Sequence, residues 1–326
     1  NVDTHLAMLD MMPHGASPSF LFPKFIVFPE FSLQGFPCGK ANAWRGDAWY
    51  EHMKATCVDI PGPETDRFAA SSLENDTYIQ ACVWERDKDF PGHYFESVFI
   101  TDPKGKVPYV RRRVQLGIAG VTTPPDVYDE YLKKYGPDPV KAFFPTLDTP
   151  YGCIGGIMCC EMSTFEVSRA LTINGAEVLL HSTMGPESAH RYDGRHYRDW
   201  ERRVTAIWNM AYVVSACMGP ILDSPLPQNR GRGQSEIIGI DGNTMSKVDG
   251  NGETIIEAWL DIDDLRRKRM RGWWQVAQLR SECYVPVYQQ EMTPINRVYK
   301  TSQEGMKGKN ELMDNLAKRG VVRKPT

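Results

Sequence analysis

The feature that most constrains the fold is an alternation, along residues 1–285, between short apolar runs and longer segments with helical periodicity. The short runs are rich in β-branched and aromatic residues, which is typical of buried strands. Such alternation predicts an α/β fold in which helices cover sheets. The predicted strands are Phe25–Phe28, Tyr78–Trp84, Tyr94–Thr101, Cys153–Cys159, Glu177–His181, Ala211–Ala216, Ser235–Ile240 and Thr254–Leu260. The predicted helices are Thr4–Met12, Pro63–Glu74, Phe165–Asn174, Arg195–Asn209 and Asp263–Arg280.

Composition excludes several classes of partner. The chain has 326 residues and a formal net charge of −3, with no block of positive charge large enough to gather nucleic acid. Its longest apolar stretches, residues 20–31 and 210–222, are interrupted by Pro, Lys or Glu, so no membrane-spanning segment is predicted. The eight cysteines form no Cys-x-x-Cys pair and lie mostly in apolar runs, which indicates reduced thiols and a cytoplasmic protein.

The periodic pattern ends near residue 285, and the rest of the chain is richer in Lys, Arg, Asn and Gly. We therefore predict one domain over residues 1–285 and a C-terminal extension over residues 286–326.

Three segments carry side chains suited to chemistry. In the first, the apolar run Phe25–Phe28 is followed by Pro29 and Glu30. A carboxyl group at the end of a buried strand can face a partly desolvated pocket, which raises its pKa and suits it to proton transfer. Taken alone, a glutamate in this position is more often simply solvated.

The second segment is Gly152–Glu161, which ends in the pair Cys159-Cys160 just before a predicted helix. A cysteine at the carboxyl end of a buried strand stands where ligands bind in α/β sheets, and nearby positive charge would favour its thiolate. Taken alone, it is more often an inert buried cysteine.

The third segment is the basic stretch Tyr109–Leu116, which is strand-like in composition. Alternation along a strand places Arg111 and Arg113 on the same face. A buried cation there could stabilise a developing oxyanion.

In order and spacing these segments resemble the carbon-nitrogen hydrolase (nitrilase and amidase) superfamily. The resemblance rests on Phe28-Pro29-Glu30, on Asp102–Gly105 leading into Arg112–Leu116, and on Thr149–Gly152 leading into Cys159. It implies a four-layer αββα sandwich that dimerises into an αββααββα core. It covers residues from about 5 to 285. The family has a strand before the helix at Thr4–Met12, so we expect that strand upstream of Asn1.

The resemblance also assigns roles to residues. It implies that Cys159 is the nucleophile, that Glu30 is the general base, and that Glu130 is a second, supporting glutamate. Cys160 and Glu161 fill the positions after the nucleophile and are predicted to line the substrate site. No metal or organic cofactor is implied.

Two further residues are expected at the pocket. His181 ends a predicted strand beside it, as a lining or core residue. Tyr94 is one of several aromatic residues near the pocket loops that hint at a substrate larger than a simple aliphatic amide; the others are Trp44, Trp49 and Trp200.

The sequence departs from the family pattern at three positions. Arg113 replaces the catalytic lysine, and it keeps the positive charge in a bulkier, planar form that does not readily release a proton. Glu96 stands where asparagine is common, and Trp208 where glutamate is common. These changes predict a remodelled pocket.

Three functional hypotheses remain. The first is hydrolysis of an amide or N-carbamoyl compound through a thioester on Cys159, in a homodimer or larger homo-oligomer. The second is a nitrilase, because Cys-Cys-Glu differs from the Cys-Tyr-Asp of amidases and half resembles the Cys-Trp-Glu of nitrilases. The third is a catalytically silent member that binds a ligand or a protein partner, which the presence of Arg113 supports.

Overall fold

The computed structural model describes residues 2–10, 12, 22–35, 47–115, 121–184, 191–192, 195–219, 233–248, 252–290 and 309–323. The strands are β1 Phe25–Val27, β2 Tyr78–Arg86, β3 Tyr94–Thr101, β4 Tyr109–Arg112, β5 Leu147–Thr149, β6 Gly152–Met158, β7 Val178–Thr183, β8 Arg191–Tyr192, β9 Arg195–His196, β10 Tyr212–Cys217, β11 Glu236–Ile238 and β12 Thr244–Lys247. The α-helices are α1 Val2–Asp10, α2 Asp47–Thr56, α3 Pro63–Glu74, α4 Tyr128–Tyr135, α5 Pro139–Phe143, α6 Phe165–Ile173, α7 Tyr197–Asn209, α8 Ile262–Arg269, α9 Ser281–Tyr288 and α10 Lys309–Lys318.

Two sheets carry most of the strands. The first has the order β1-β2-β3-β4, in which β1 and β2 are parallel and the other neighbours are antiparallel. The second has the order β12-β11-β10-β7-β6-β5, with the parallel strands β6, β7 and β10 at its centre. The pair β8-β9 forms a separate ribbon. The carboxyl ends of β6, β7 and β10 therefore meet at one edge, where ligands commonly bind.

The sheets pack face to face and each is covered by helices. Every side chain of β3 and of β6 is buried, which requires a covering layer on both faces of each sheet. One apolar cluster fills the space between the sheets. A second joins the first sheet to α1 and α3, and a third joins the second sheet to α6 and α7. The predicted four-layer αββα sandwich is confirmed.

The two sheets approach each other closely at Gly156 in β6. A Cβ atom at this position would lie 2.7 Å from Val98 Cγ2 and 2.9 Å from Gln80 Oε1, both on the first sheet. Gln80 Nε2 in turn donates to the Leu180 carbonyl at 3.0 Å across the same interface. Only glycine allows this approach without displacing a neighbour.

Two sequence predictions are wrong. The segment Thr254–Leu260 forms no strand, and its side chains are exposed or half-buried rather than packed in a sheet. The helix predicted over Asp263–Arg280 ends at Arg269, because Gly272 follows with a φ of +78° and turns the backbone out of the helical path. The boundary predicted after residue 285 falls inside α9, and the division into domain and extension stays a prediction.

In the described parts of the chain, none of the helices has the length and apolarity needed to cross a membrane.

Candidate active site

Cys159 directly follows β6 and begins a short 3₁₀ turn, Cys159–Ser163. Its φ is +43°, a left-handed conformation that is costly for a residue with a Cβ and that concentrates at functional sites. His181 Nε2 donates to the Cys159 carbonyl at 2.9 Å, and His181 Nδ1 lies 2.9 Å from Ser215 Oγ. His181 lies on β7 and Ser215 on β10, so these two neighbouring strands of the second sheet hold the turn that carries Cys159 in place.

Glu30 lies just beyond β1 and is completely buried. Ser182 Oγ donates to the Phe28 carbonyl at 2.7 Å, and the Met184 amide donates to Glu30 Oε2 at 2.7 Å. These two bonds tie the end of β1 to the end of β7. Burial first, then the charges of Cys159 and Glu96, raise the pKa of Glu30 well above its usual range.

Arg113 follows β4 and connects the remaining groups. Its Nη1 donates to Glu96 Oε2 at 2.6 Å and lies 3.8 Å from Glu30 Oε1, and its Nη2 contacts Cys160 Sγ. Burial alone would lower the pKa of Arg113, but the charges of Glu96 and the thiols raise it, so the guanidinium stays protonated. The structure thus brings the predicted residues Glu30, Arg113 and Cys159 into one buried group.

Cys160 is partly exposed beside Arg113. A hydrogen bond from Cys159 and the charge of Arg113 lower the pKa of Cys160 to about 7, against the effect of burial. A thiol in such surroundings is substantially ionised at neutral pH. The position after Cys159 therefore carries a thiol whose surroundings favour its ionised form.

Glu161, which is predicted to line the substrate site, is fully buried among protein donors. Its carboxylate accepts two hydrogen bonds from Arg111, at 2.6 and 2.9 Å, and one each from the Val114 and Met158 amides, at 3.0 and 3.3 Å. Burial would raise the pKa of Glu161, but Arg111 outweighs it and the pKa is lowered. This fully buried carboxylate is occupied by protein donors and holds the turn from the inside.

Arg111 and Arg113 point to the same side, as alternation predicts, and Arg112 points to the other. Arg112 contacts Glu85 and donates to Asp87 Oδ2 at 2.9 Å, away from Cys159. The basic stretch therefore serves two different clusters.

The other predicted residues lie at varying distances from Cys159. Glu130 is exposed on α4, and its charge acts on His93 rather than on the buried group, so the structure does not bring it to Cys159. Tyr94 is buried in an apolar cluster with Phe31, which follows Glu30 in sequence, and with Met184, whose amide donates to Glu30. His181 is buried and supports the backbone of Cys159. Trp200 is exposed on α7, and Trp44 and the side chain of Trp49 lie outside the described residues.

Glu96 is the site residue whose contact with Arg113 the sequence pattern did not predict. It is noted in the sequence only as a departure from asparagine, yet it makes the shortest ion pair with Arg113. A charged residue in a strand of eight buried positions was the available signal. Within the described segments, no group of three or more His, Cys, Asp or Glu side chains is arranged to hold a metal ion.

Comparisons with known proteins show the family. The family model for carbon-nitrogen hydrolase matches residues 24–270. A citrullinase from Francisella tularensis is 24% identical over 269 residues, which cover 80% of this chain and 85% of the citrullinase. A formamidase from Bacillus cereus is 27% identical over 280 residues, which cover 84% of this chain and 72% of the formamidase. Nitrilases occur among the other relatives, at 24% identity.

The fold has counterparts among solved structures. A carbon-nitrogen hydrolase from Helicobacter pylori superimposes with a TM-score of 0.61 and 18% identity, covering 89% of this chain and 92% of that one. At this identity the likeness supports the fold, and the chemistry has to be argued from the side chains themselves.

Proposed function

The chain belongs to the carbon-nitrogen hydrolase family, and we propose that it hydrolyses an amide or N-carbamoyl compound through a thioester on Cys159. One observation carries this proposal. A buried carboxyl, a buried guanidinium and a cysteine in a strained turn meet at the carboxyl edge of the sheet. This set supplies a proton carrier, a cation for an oxyanion and a nucleophile.

Acylation begins when Cys159 Sγ attacks the carbonyl carbon. The resemblance assigns the thiol proton to Glu30. The oxyanion that forms is stabilised by Arg113 together with a backbone N–H near Cys160. The C–N bond then breaks, ammonia or an amine leaves with a proton, and water hydrolyses the thioester. Glu30 suits the proton transfers because burial raises its pKa well above the usual glutamate range.

The relatives favour amide-type substrates. A formamidase and a citrullinase, by their names, act on an amide and on a ureido compound, and both cover most of this chain. Nitrilases of similar identity keep nitriles as the second candidate substrate class. Glu161 does not decide between them, because its carboxylate is occupied by Arg111.

A silent, ligand-binding member is the third candidate. Arg113 supports it, since Glu96, Cys160 and the Gln115 carbonyl already accept from the guanidinium, the last from Nε at 3.2 Å. Because the Arg113 guanidinium already donates to these three acceptors, it has fewer free N–H groups for an oxyanion. It can therefore stabilise an oxyanion less well than a lysine ammonium group.

The hypotheses are separated by incubating the wild-type protein and a Cys159→Ala variant with amides, ureido acids and nitriles. Ammonia release and intact mass are followed together. Turnover that disappears in Cys159→Ala, with a thioacyl adduct on the wild-type protein, supports hydrolysis. Absence of both across the panel contradicts hydrolysis and favours the binding hypothesis.

We also propose that two copies pair across helices, as the resemblance implies, and that the helices involved are α6 and α7. These helices expose the apolar side chains Phe165, Ile173, Trp200, Ile207 and Trp208. Contiguous exposed apolar surface of this kind marks interaction sites.

A cytoplasmic location fits the cysteines, since none of those in the described segments forms a disulfide.

A further inference from the structure

Glu96 on β3 stands directly across the first sheet from Arg113. The Arg113 amide donates to the Glu96 carbonyl at 2.9 Å, which continues the β3–β4 ladder one residue beyond Arg112. Residues that face each other across two strands direct their side chains to the same side of the sheet. Glu96 Oε2 accepts from Arg113 Nη1 at 2.6 Å, and both side chains are buried. The sheet itself therefore brings this carboxyl and this guanidinium together.

The three guanidinium nitrogens of Arg113 all contact acceptors of the protein. Nη1 donates to Glu96, Nη2 contacts Cys160 Sγ, and Nε donates to the Gln115 carbonyl at 3.2 Å. The distance from Nη1 to Glu30 Oε1 is 3.8 Å, which is too long for a hydrogen bond. Glu30 Oε1 is buried and has no hydrogen-bond partner among the described residues. The guanidinium is therefore held near Glu30 without being bonded to it.

Arg111 shows what an arginine on this face does when it binds a buried glutamate directly. It lies two residues before Arg113 and donates two hydrogen bonds to Glu161, at 2.6 and 2.9 Å. Burial alone would raise the pKa of Glu161, but this pairing lowers it. Glu30 is as deeply buried and lacks such a pair, so burial prevails and its pKa is raised. The two buried glutamates thus differ in whether an arginine binds them.

We propose that Glu96 is a positioning residue that keeps the Arg113 guanidinium from pairing with Glu30, so that Glu30 remains available as a base. This inference rests on the proposed function and deepens it, because it explains how an arginine can occupy this position without disabling the base. A guanidinium readily forms two-pronged pairs with carboxylates, which the single charge of a lysine does not. Glu96 supplies the carboxylate that Arg113 binds instead of Glu30.

The groups around Glu30 give the direction of the expected pH effect. The charged and titratable ones are Cys82 on β2, Glu96 on β3, Arg113 after β4, and Cys159 and Cys160 after β6. In a Glu96→Gln variant, a negative charge beside Glu30 is removed and Arg113 is released to bind Glu30. Both changes favour the ionised form of Glu30, so its pKa should fall. The three thiols are the same in both proteins.

NMR of isotope-labelled glutamate side-chain carboxyl carbons tests this without a substrate. The Glu30 resonance is identified by its absence from the Glu30→Gln protein, and its titration midpoint is then followed against pH. In Glu96→Gln, and in the smaller Glu96→Asn, we expect this midpoint to fall by at least about one pH unit. Glu96→Asp keeps the negative charge and should shift the midpoint less than either neutral variant.

Glu85→Gln is the matched control. Glu85 is a buried carboxyl on β2 that accepts from Arg112 Nε at 2.7 Å, in the cluster on the other side of the same sheet. This variant also removes a buried carboxylate from an arginine, and it should leave the Glu30 midpoint unchanged. The proposal is overturned if the Glu30 midpoint stays the same or rises in the folded Glu96 variants, or if it falls equally in Glu85→Gln.

Kinetics repeat the test on any substrate of the panel that the protein hydrolyses. The acid limb of the profile of kcat/KM against pH reports the ionisation of the base, and it should move to lower pH in Glu96→Gln by the same amount as the NMR midpoint. A shifted Glu30 titration with no hydrolysis contradicts only the proposed function. Hydrolysis that depends on Cys159, with an unshifted Glu30 titration, contradicts only this inference.

Discussion

Arg111 and Glu161 form a fully buried, two-pronged ion pair, at 2.6 and 2.9 Å, directly behind the turn that carries Cys159. The pair joins the last strand of the first sheet to the turn that follows β6 of the second. Because Glu161 also accepts from the Met158 and Val114 amides, the pair fixes the backbone just before Cys159 and the backbone just after β4. The further contacts of this pair are with the protein's own backbone.

Breaking this pair should be costly. Arg111→Met leaves the Glu161 carboxylate buried without its partner, and we expect the free energy of unfolding to fall by about 3–5 kcal/mol. The matched control is Arg86→Met, which removes an ion pair to Asp59 that is about half exposed and should cost less than about 1 kcal/mol. Urea denaturation measures both. Equal losses in the two variants would contradict a structural role for Arg111.

Glu30 should make stability depend on pH in the opposite sense to an ordinary paired acid. Its pKa is raised in the folded state, so its contribution is fully present below the usual glutamate pKa, near 4.5, and is lost as pH rises through the raised value. Glu30→Gln cannot ionise and should lose less stability than wild type toward alkaline pH. Melting temperatures across the pH range test this, with the exposed Glu74→Gln as control. Parallel curves of melting temperature against pH for wild type and Glu30→Gln would show that the pKa of the Glu30 carboxyl is not raised in the folded state.

Arg113→Lys tests the most unusual change in the site. Lysine replaces a planar fork by one compact charge, so it cannot hold Glu96 and Cys160 in the same way. We expect kcat/KM on the best substrate of the panel to fall at least about tenfold, and Arg113→Lys with Glu96→Asn to recover part of it. Arg86→Lys, at an exposed ion pair, is the control. A gain of activity in Arg113→Lys alone would mean that arginine restrains hydrolysis.

Much of this site was predictable from sequence because its backbone elements are local. Glu30 and Cys159 each follow an apolar run, and such runs predict buried strands with few alternatives. The roles of Glu96 and Glu161 were not predictable in this way. Their partners, Arg113 and Arg111, lie 17 and 50 residues away along the chain, and only packing of strands and sheets brings them together. Pattern reasoning identified strand ends, whereas the pairing of charges needed the tertiary structure.

Gly156→Ala should show how closely the two sheets approach. The added methyl group would lie 2.7 Å from Val98 Cγ2, so β6 or β3 must shift, and we expect a loss of about 1–3 kcal/mol in the free energy of unfolding. Gly252→Ala is the control, because its Cβ would meet nothing within 4 Å. Chemical denaturation compares the two variants. A cost for Gly156→Ala no larger than that for Gly252→Ala would mean that the sheets are less tightly packed.

Trp208→Glu tests the pairing of copies through α6 and α7. Trp208 lies against Phe165 with ring centroids 5.0 Å apart, and the two side chains are 46% and 42% exposed on the outermost layer of the sandwich. Water contact with this surface is unfavourable, so a second copy that covers it gains free energy.

A glutamate at position 208 would be buried without a partner in that interface, and we expect the dimer dissociation constant to rise by at least about tenfold. Sedimentation velocity over a range of concentrations measures it. Leu73→Glu places the same charge on α3, the outer helix on the opposite side of the sandwich, where the side chain is 58% exposed and dimerisation should not change. A monomeric wild type, or a dimer weakened by Leu73→Glu and not by Trp208→Glu, would place the interface elsewhere.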